Sequence, residues 1–486
     1  FMVLLTFACV WVRGILFQNP LLIAMWVSVV LILGIRWVSE ARKLLASLYS
    51  SKTTIAFFHP YCNSGGGGER VLWLLVDTML KKKNVNVIIY SGDVTVKASD
   101  ILDKAKKCFN LDLPVDRIRF VFLRSRSLVE ASMYPHFTLL GQSMGSILLA
   151  SEALLRATPN VFFDSTGYGF THPIARFLFG CKVGCYVHYP TISTDMLQKV
   201  AERRPTYNND LRVTKSAAAS QAKLIYYRLF AALYGFVGKT ASIVMVNSTW
   251  TRNHISNIWG RKDARIVYPP CDTGDLSTIP LPRQSLKRER LVISIGQFRP
   301  EKDHRLQLEA FALYAKRNPQ DQSTKLVMIG GCRDEGDRSR VNELIALREK
   351  LGVADRVELK VNLPFPALRD YLGWATCGLH TMWNEHFGIG VVEFMAAGVV
   401  PIAHNSGGPK SDIVVDVLLR GKKQRTGFLA SSVEEYADAL GKVFAGSFLS
   451  SKEYFQMTEA ARAHSATFSD QCFRETTNNC LAGHLH

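Results

Sequence analysis

The chain has 486 residues, of which 48% are hydrophobic and 21% are charged. This composition excludes a disordered, collagenous or fibrous protein, and the length predicts two or three domains. The formal charge of +18 favours anionic partners such as phosphorylated ligands or acidic membranes, and the ten cysteines are too sparse for a disulfide scaffold.

The first predicted element is an apolar segment, Gly14–Ile35, with 22 residues and no charged side chain. That length is enough to cross a hydrocarbon core of about 30 Å. A cleaved signal peptide is the alternative, but its apolar region would be shorter and no A-x-A cleavage site follows. Basic residues are concentrated after the segment, at Arg36, Arg42 and Lys43. The positive-inside rule therefore predicts a retained anchor with the remainder of the chain in the cytosol.

Two series of apolar, β-rich runs follow, and helical stretches alternate with them. The first series comprises Thr54–His59, Val85–Tyr90, Arg119–Leu123, Val161–Asp164, Val183–His188 and Ser242–Asn247. The second comprises Leu291–Gly296, Lys325–Gly330, Arg356–Val361, Gly378–His380 and Val399–Ala403. Continuous apolar strands between helices indicate parallel sheets that are covered on both faces. The sequence therefore predicts an α/β fold with two Rossmann-like, doubly wound domains facing a cleft.

Two apolar stretches in the first series have two interpretations. Phe137–Leu155 has almost no charge, and Lys215–Lys239 mixes aromatic, alanine and basic residues. Both patterns are typical of buried helices. They are also typical of a surface that dips into a membrane, with basic residues at the headgroups and aromatic residues below them. The upstream anchor favours membrane contact, and both interpretations stay open.

A glycine-rich loop, His59–Arg70, follows the first predicted strand. Its central residues are Gly65, Gly66, Gly67, Gly68 and Glu69. Glycines let the backbone approach a ligand closely, and the N–H groups at a helix start favour negative charge. The pattern is neither a dinucleotide fingerprint nor a P-loop, because the third glycine and the Gly-Lys-Ser/Thr sequence are missing. It predicts a loop that contacts substrate.

Arg299 and Lys302 lie three residues apart, directly after a predicted strand of the second series. At a loop-to-helix transition this spacing lets both cations reach one diphosphate, and the helix start adds partial positive charge. An ordinary exposed turn would carry cations in the same way. The pair by itself therefore leaves both interpretations open.

Glu385 and Glu393 lie eight residues apart, with Gly388, Ile389 and Gly390 between them. If Glu385 ends a loop and Glu393 lies two turns into the next helix, both carboxylates face one ligand. The Gly-x-Gly sequence frees N–H groups for a phosphate, and a glutamate makes charge-assisted hydrogen bonds with sugar hydroxyls. The apolar surroundings argue against two unrelated surface carboxylates.

The two glutamates, the Arg299/Lys302 pair and the glycine turn Asn405–Asp412 stand in one order on two α/β units. In this arrangement the chain resembles the retaining GT-B glycosyltransferases of family 4. The first half is similar to the eukaryotic dolichol-pathway α-1,2-mannosyltransferases in the stretches HPYCNSGGGGERVLW, FFDSTGYGF and CYVHYPTISTDML. Those enzymes use GDP-mannose on the cytosolic face of the endoplasmic reticulum. They add the fourth and fifth mannoses to a dolichyl-pyrophosphate oligosaccharide.

The resemblance implies roles for individual residues. Arg299 and Lys302 would neutralise the donor diphosphate. Glu385 would hold the mannose hydroxyls, Glu393 would hold the ribose, and His188 would lie near the transferred sugar. The further donor contacts implied are the backbone of Gly388, Ile389 and Gly390, and the base-reading positions Asn362 and Leu363. The glycine loop would face the diphosphate or the acceptor.

The resemblance also implies a function for each part of the chain. Residues 1–50 would form the membrane anchor and juxtamembrane segment, and 51–280 the acceptor-binding domain. Residues 281–450 would bind the nucleotide sugar, and 451–486 would form a C-terminal helix that packs back on the first domain. The sequence has no Asp-x-Asp pair, which metal-dependent GT-A transferases use to hold a divalent ion. We therefore expect no cofactor and no metal site, with GDP-mannose as the donor substrate.

The expected partners are GDP-mannose, the dolichyl-pyrophosphate oligosaccharide, the endoplasmic reticulum membrane and other mannosyltransferases of the pathway. Nucleic acid is not expected, because no basic run with interleaved stacking residues is present. One alternative is another lipid-linked-sugar GT-B transferase with a different donor. A second alternative is a nucleotide-sugar epimerase, which can share this two-domain fold. Such an enzyme would need no lipid anchor, so the apolar segment argues against it. A non-catalytic membrane subunit is the third alternative, although Glu385 and the cation pair are all present.

Overall fold

The computed structural model describes residues 20–49, 52–196, 217–282 and 288–483. Two parts of the predictions fall outside these ranges. They are residues 14–19, the start of the predicted anchor, and Lys215, the first residue of the second apolar stretch.

A helix of 30 residues, α1 (Pro20–Tyr49), precedes the first strand and is about 45 Å long. Its described side chains are mostly large, apolar and exposed between Met25 and Leu33. A helix that is apolar on all sides is typical of a membrane span or a buried core. The second half of α1 is attached to the first domain, because Arg36 and Lys43 donate hydrogen bonds to main-chain carbonyls within residues 176–180.

The first domain is built on a seven-stranded parallel sheet with the order β3-β2-β1-β4-β5-β6-β7. Its strands are β1 Thr53–Phe58, β2 Val85–Ser91, β3 Ile118–Phe122, β4 Val161–Asp164, β5 Lys182–Val187, β6 Ile243–Val246 and β7 Arg265–Ile266. The helices are α2 Gly67–Leu80, α3 Ala98–Phe109, α4 Thr138–Arg156, α5 Ala217–Gly238 and α6 Thr249–Trp259, with a short helix Thr171–Pro173 and a π-helix Ile174–Leu178. Three 3₁₀ segments, Val115–Arg117, Arg126–Val129 and Ala131–Met133, complete it.

The second domain is built on a six-stranded parallel sheet with the order β10-β9-β8-β11-β12-β15. Its strands are β8 Leu291–Ile295, β9 Lys325–Gly330, β10 Val357–Val361, β11 Cys377–His380, β12 Val400–His404 and β15 Phe428–Ala430, with a separate antiparallel hairpin of β13 Val417–Leu419 and β14 Lys422–Gln424. The helices, after a connecting α7 Thr273–Ser277, are α8 His304–Arg317, α9 Glu335–Lys350, α10 Phe365–Trp374, α11 Ile389–Ala397 and α12 Val433–Phe444. Shorter segments are the 3₁₀ helices Pro300–Lys302 and Ala354–Arg356 and the π-helix Pro409–Ile413.

Both sheets are covered on both faces, as continuous apolar strands require. Successive side chains of a strand point to opposite faces. In β1, Ala56 and Phe58 accordingly pack into one hydrophobic core, and Ile55 and Phe57 pack into another. The predicted α/β fold with two doubly wound sheets is confirmed. The sequence did not predict β7, β15 or the hairpin, because strands of two or three residues carry no periodic pattern.

The chain ends in α13 (Lys452–Ser465), a 3₁₀ turn (Ala466–Phe468) and α14 (Asp470–Leu481). α13 packs on α11 of the second domain, and α14 packs on α2 of the first. Two ion pairs hold α14 in place. Arg70 donates to both carboxylate oxygens of Asp470 at 2.9 and 3.0 Å, and Arg474 Nε donates to Asp77 at 3.0 Å. The two domains are therefore linked by the chain terminus as well as by the connection through α7.

Candidate functional site

The site lies between the carboxyl ends of the two parallel sheets. Because all strands of each sheet run the same way, the loops that follow them collect at one edge, where ligands bind in such folds. The glycine loop of the first domain meets the start of α11 there. A Cβ atom added to Gly67 would lie 2.9 Å from Ile389 Cδ1. The two predicted motifs are thus brought face to face across the cleft.

Glu385 follows β11 and is the centre of a cluster of hydrogen bonds in the second domain. Its Oε2 accepts from Lys302 Nζ at 2.5 Å and from His380 Nε2 at 3.2 Å. Its Oε1 accepts from the backbone N–H of His386 at 3.1 Å. A carboxylate can only accept hydrogen bonds, so His380 carries its proton on Nε2. Lys302 and Glu385, which the sequence assigned to separate roles, are therefore in direct contact.

The electrostatic surroundings keep Glu385 ionised. Burial alone raises the pKa of its carboxyl, but the Lys302 ammonium and the His380 hydrogen bond outweigh burial and hold the pKa well below its ordinary value. A lysine ammonium carries three donors, so Lys302 can hold Glu385 and still donate to a phosphate oxygen. The cluster presents an anion and a cation side by side, as a sugar and its diphosphate require.

The glycine turn after β12 supports the backbone of Glu385. Gly408 N–H donates to the Glu385 carbonyl at 2.8 Å. A Cβ atom on Gly407 would lie 2.2 Å from that same carbonyl oxygen, and one on Gly408 would lie 2.4 Å from the carbonyl of Phe387. Backbone atoms cannot yield at such distances, so both positions require glycine for close approach. The turn therefore fixes the loop that carries Glu385.

Glu393 lies on α11 among different neighbours. Burial raises its pKa to about 7, with the Arg70 cation lowering it and the Asp272 carboxylate raising it. The helix begins after Gly388, whose φ of +113° is a conformation that favours glycine. The N–H groups of Ile389 and Gly390 belong to the first turn and have no partner within the helix. This end of the cleft therefore offers N–H donors and a carboxyl that titrates near neutrality.

Arg299 follows β8 in the loop that leads to Lys302. It precedes the 3₁₀ helix Pro300–Lys302, and its side chain is 36% exposed, with Nη1 3.9 Å from a carboxylate oxygen of Glu301. Lys302 is turned inward onto Glu385 instead. Both side chains are partly exposed, so the structure distinguishes the two predicted cations by their partners: Lys302 pairs with Glu385, and Arg299 lies near Glu301.

The glycine loop is shaped by its own glutamate. Gly65 has a φ of +83°, and the Gly66 N–H donates to Glu69 Oε2 at 2.7 Å. The Glu69 carboxylate thereby caps α2 through Oε2, and its Oε1 lies 4.0 Å from His59 Nε2. Gly68 lies beside His188, since a Cβ atom there would be 3.9 Å from the imidazole ring. The loop therefore joins the predicted histidine of the cleft to the helix start of the second domain.

His188 follows β5 and is oriented by the loop after β4. Its Nε2 donates to the Ser165 carbonyl at 3.0 Å, so Nδ1 is left as an acceptor. Burial lowers the pKa of His188, which keeps the ring neutral at pH 7. The Ser165 hydroxyl bonds His59 Nδ1 at 2.9 Å, and burial, followed by the nearby His188, lowers the pKa of His59 to about 3. Two neutral imidazoles therefore line the first-domain wall.

Asn362 and Leu363 follow β10 at the outer edge of the second sheet. Asn362 has a φ of +55°, and its Oδ1 accepts from the backbone N–H of Cys332 at 3.0 Å. Leu363 packs partly into a hydrophobic core. The structure places this pair on a separate loop from Glu385 and Lys302, at the same edge of the sheet.

Sequence reasoning assigned no individual role to three residues that the structure places at the site, although Asp412 was named as the end of the glycine turn. His380 ends the predicted strand Gly378–His380, and a polar residue at the carboxyl end of a parallel strand is a signal that could have found it. Asp412 accepts from the Thr249 N–H and the Tyr268 hydroxyl, both at 3.0 Å, and thus joins the domains. Ser165 lies within the stretch FFDSTGYGF, which was singled out only for its resemblance. In the part of the chain that the structure describes, no group of three or more His, Cys, Asp or Glu residues is arranged to bind a metal ion.

Two family models match the chain in succession. "ALG11 mannosyltransferase N-terminus" matches residues 52–259, and "Glycosyl transferases group 1" matches residues 280–464. The similar curated proteins include GDP-Man:Man(3)GlcNAc(2)-PP-Dol alpha-1,2-mannosyltransferases. The one from Mus musculus is 51% identical and covers 94% of both chains. The one from Homo sapiens is 50% identical and covers 92% of this chain and 91% of its own.

Solved structures of low sequence identity share the fold. Sucrose-phosphate synthase from Thermosynechococcus elongatus superposes with a TM-score of 0.61 at 15% identity, over 89% of this chain and 99% of that one. Anabaena Alr3699/HepE, solved with UDP and glucose, superposes with a TM-score of 0.58 at 16% identity, over 88% and 99%. With about half of all residues shared with the curated mannosyltransferases over nearly the whole chain, the protein is a glycosyltransferase and belongs to the ALG11 mannosyltransferase family.

Proposed function

We propose that the chain is a retaining α-1,2-mannosyltransferase that moves mannose from GDP-mannose to a dolichyl-pyrophosphate-linked oligosaccharide. The printed names of relatives at about half identity support this donor and this acceptor. The observation that carries the proposal is the Lys302–Glu385–His380 cluster at the carboxyl edge of the second sheet. It combines an ionised carboxylate for sugar hydroxyls with a cation for the departing diphosphate.

On the donor side, negative charge grows on the diphosphate as the glycosidic bond breaks. Lys302 and Arg299 stabilise that charge, together with the N–H groups at the start of α11. Glu385 accepts hydrogen bonds from the mannose, and Glu393 binds the ribose. His188 presents its Nδ1 acceptor to the transferred sugar from the opposite wall. None of these groups is needed as a protein base if the donor phosphate takes the acceptor proton.

On the acceptor side, two helices of the first domain, α4 and α5, expose rows of large apolar side chains. The exposed side chains repeat at helical spacing, as Leu140, Met144, Leu148 and Leu155 on α4 and as Ile225, Leu229, Leu233 and Phe236 on α5. The Leu140 N–H and the Tyr226 hydroxyl bond the two helices together at 3.2 Å. We call this surface the apolar face. Of the helices whose side chains are described throughout, α4 is the one with the length and hydropathy of a membrane span, although 39% of it is buried.

The apolar face extends from the cleft to the anchor. In the chain, α4 lies between β3 and β4, and α5 lies between β5 and β6. Because these strands are parallel, both helices run from the carboxyl edge of the sheet to its amino edge. At the amino edge Arg42 of α1 donates to the Leu155 carbonyl at 2.9 Å. We propose that the membrane lies along this face, so that the lipid-linked acceptor reaches the cleft without leaving the bilayer. The membrane would be that of the endoplasmic reticulum, with both domains on its cytosolic side.

The test is transfer of radiolabelled mannose from GDP-mannose into a lipid-extractable product. The acceptor is a dolichyl-pyrophosphate oligosaccharide with three mannoses, and UDP-glucose and UDP-GlcNAc are assayed in parallel. Addition of one and then two α-1,2-linked mannoses is expected. Label transferred from a UDP sugar alone would keep the fold and replace the donor. No transfer from any donor, with Glu385→Gln as the inactive control, would favour a non-catalytic membrane subunit.

A further inference from the structure

The two chain neighbours of Glu385 both contact the first domain. On one side, Asn384 Nδ2 donates to Asp195 Oδ2 at 2.5 Å. On the other side, the His386 ring stacks on Tyr189, with centroids 4.8 Å apart and an interplanar angle of 13°. Glu385 itself bonds only groups of its own domain among the described hydrogen bonds. Glu385 therefore lies between two residues that each make a contact across the cleft.

Two residues of α6 pack near these contacts in the first domain. His254 Nδ1 lies 2.8 Å from Thr194 Oγ1, and its Nε2 lies 3.5 Å from Asp195 Oδ2. A neutral imidazole that accepts from Thr194 at Nδ1 carries its proton at Nε2, which faces Asp195. Trp250, on the same helix, packs 4.1 Å from His254 and 5.4 Å from His386, measured between ring centroids. Asp195 Oδ2 thus lies near His254 of its own domain as well as Asn384 of the other.

The second-domain side is restricted by its backbone. Asn384 has a φ of +50°, a left-handed conformation that asparagine adopts more readily than most residues. Its N–H donates to Ser406 Oγ at 2.7 Å. The bend at Asn384 therefore directs the side chain to the first domain while the next residue, Glu385, turns back to Lys302. A shift of Asn384 would move Glu385 with it, because the two share one peptide bond.

We propose that Asp195 and Tyr189 are positioning residues: their contacts with Asn384 and His386 place Glu385 for transfer when the two domains close on each other. The inference rests on the proposed function, because it concerns the residue that binds the donor sugar. Under the proposed function the second domain supplies the nucleotide contacts, so GDP affinity is expected not to depend on these contacts. Breaking them slows transfer and leaves GDP binding unchanged.

The test is a double-mutant cycle across the cleft in the full-length protein. Asp195→Ala removes the acceptor, and Asn384→Gly removes the amide while tolerating the positive φ. Each single variant is expected to lower kcat roughly tenfold, as loss of a hydrogen bond to a charged group does. The double variant is expected to lose no more than either single one, because both act through the same contact. The Kd for GDP, measured by calorimetry, is expected to stay within about twofold of wild type.

Three further variants separate positioning from general damage. Tyr189→Phe keeps the stacked ring and is expected to retain wild-type kcat. Tyr189→Ala removes the ring and is expected to lower kcat. Asp438→Ala removes a carboxylate that is 61% exposed on the surface of α12 and serves as the matched control. Additive losses in the cycle, an unchanged kcat, or a GDP affinity that falls in step with kcat would each overturn the inference. An inactive wild type with GDP-mannose would instead refute the proposed donor, and the cycle would then be run with the donor that it accepts.

Discussion

The two domains share one architecture and differ in the surface that they present to the outside. In the first domain, the outer stripe of α4 and α5 consists of large apolar side chains. In the second, the exposed positions of α9 are mostly charged or polar, as at Arg338, Glu343 and Lys350, and Ile345 is its one exposed large apolar side chain among the described residues. The strands of both sheets are equally buried, so the fold does not account for the difference.

The comparison shows that the inner and outer faces of these helices are subject to different physical constraints. The inner face must fill a core between helix and sheet, which both domains do in the same way. The outer face is free to match its surroundings, namely water in the second domain and, as proposed, lipid in the first. Variants on the two surfaces should therefore affect different steps of the reaction. The following experiments test that separation, from the largest expected effect to the smallest.

Lys302→Ala in the second domain should lower kcat by about 10²–10³, because a charge-stabilising contact to the leaving diphosphate is lost. The Glu385 carboxylate also loses its closest cation, at 2.5 Å. Initial rates of mannose transfer at saturating acceptor measure the effect. Lys350→Ala, an exposed lysine of α9, is the control. A rate within threefold of wild type would remove Lys302 from the mechanism.

Replacing Leu229 and Leu233 by aspartate on the apolar face should raise KM for the lipid-linked acceptor by about tenfold or more in vesicles. A leucine that leaves an apolar environment loses roughly 1.5–3 kcal/mol. KM for GDP-mannose should not change. Leu418→Asp is the matched control, because Leu418 is 78% exposed on the hairpin of the second domain. An equal effect of Leu418→Asp would assign the change to added charge and not to membrane contact.

Glu393→Gln should have two effects of opposite sign. The pKa of Glu393 is raised from 4.5 to about 7, so the folded protein holds a proton that the unfolded chain releases. Stability therefore falls as the pH rises from about 4.5 to 7, and this fall should disappear in the variant. Thermal unfolding at pH 7.5 should show a Tm higher by about 2 °C or more. The affinity for GDP should fall several-fold, and an unchanged pH profile of Tm would contradict the buried, raised pKa.

Chelation should have the smallest effect of all. In the proposed mechanism the charge on the diphosphate is met by Lys302, Arg299 and the start of α11, so transfer in EDTA should equal transfer without it. A loss of activity that manganese or magnesium restores would contradict this. In that case variants on the two surfaces would still affect different steps of the reaction. The second domain, however, would need a metal ion in addition to Lys302 and Arg299.

Much of the fold could be predicted from the sequence, because its causes are local. Apolar runs of three to six residues between helical stretches marked β1–β6 and β8–β12 close to their observed bounds. The glycine loop and the Gly-x-Gly before α11 were visible as residues that tolerate positive φ or close approach. The short strand β7 and the hairpin were not predictable, since packing against neighbours and not periodicity defines them.

The candidate site was predictable as a set of residues but not as an arrangement. The spacing of Glu385 and Glu393 suggested one shared ligand, and the structure gives them separate neighbours. Glu69 belonged to the predicted contact loop, and the structure shows it bonded to Gly66 N–H as a helix cap. Nothing in the local sequence distinguishes a glutamate that caps a helix from one that faces a ligand, because a glutamate in the first helical turn after a glycine-rich loop can do either.

The sequence by itself determined the two sheets, the apolar segment before the first strand and the residue types available for the proposed sugar and diphosphate contacts. Those features depend on neighbours within a few positions of the chain. Only the tertiary structure decided that Lys302 pairs with Glu385, that burial raises the pKa of Glu393, and that Asp195 meets Asn384 across the cleft. Coulombic interaction and desolvation depend on distance in space and on what surrounds a group. Residues that lie far apart in the chain acquire their charge state and their partner only when the two domains fold and meet.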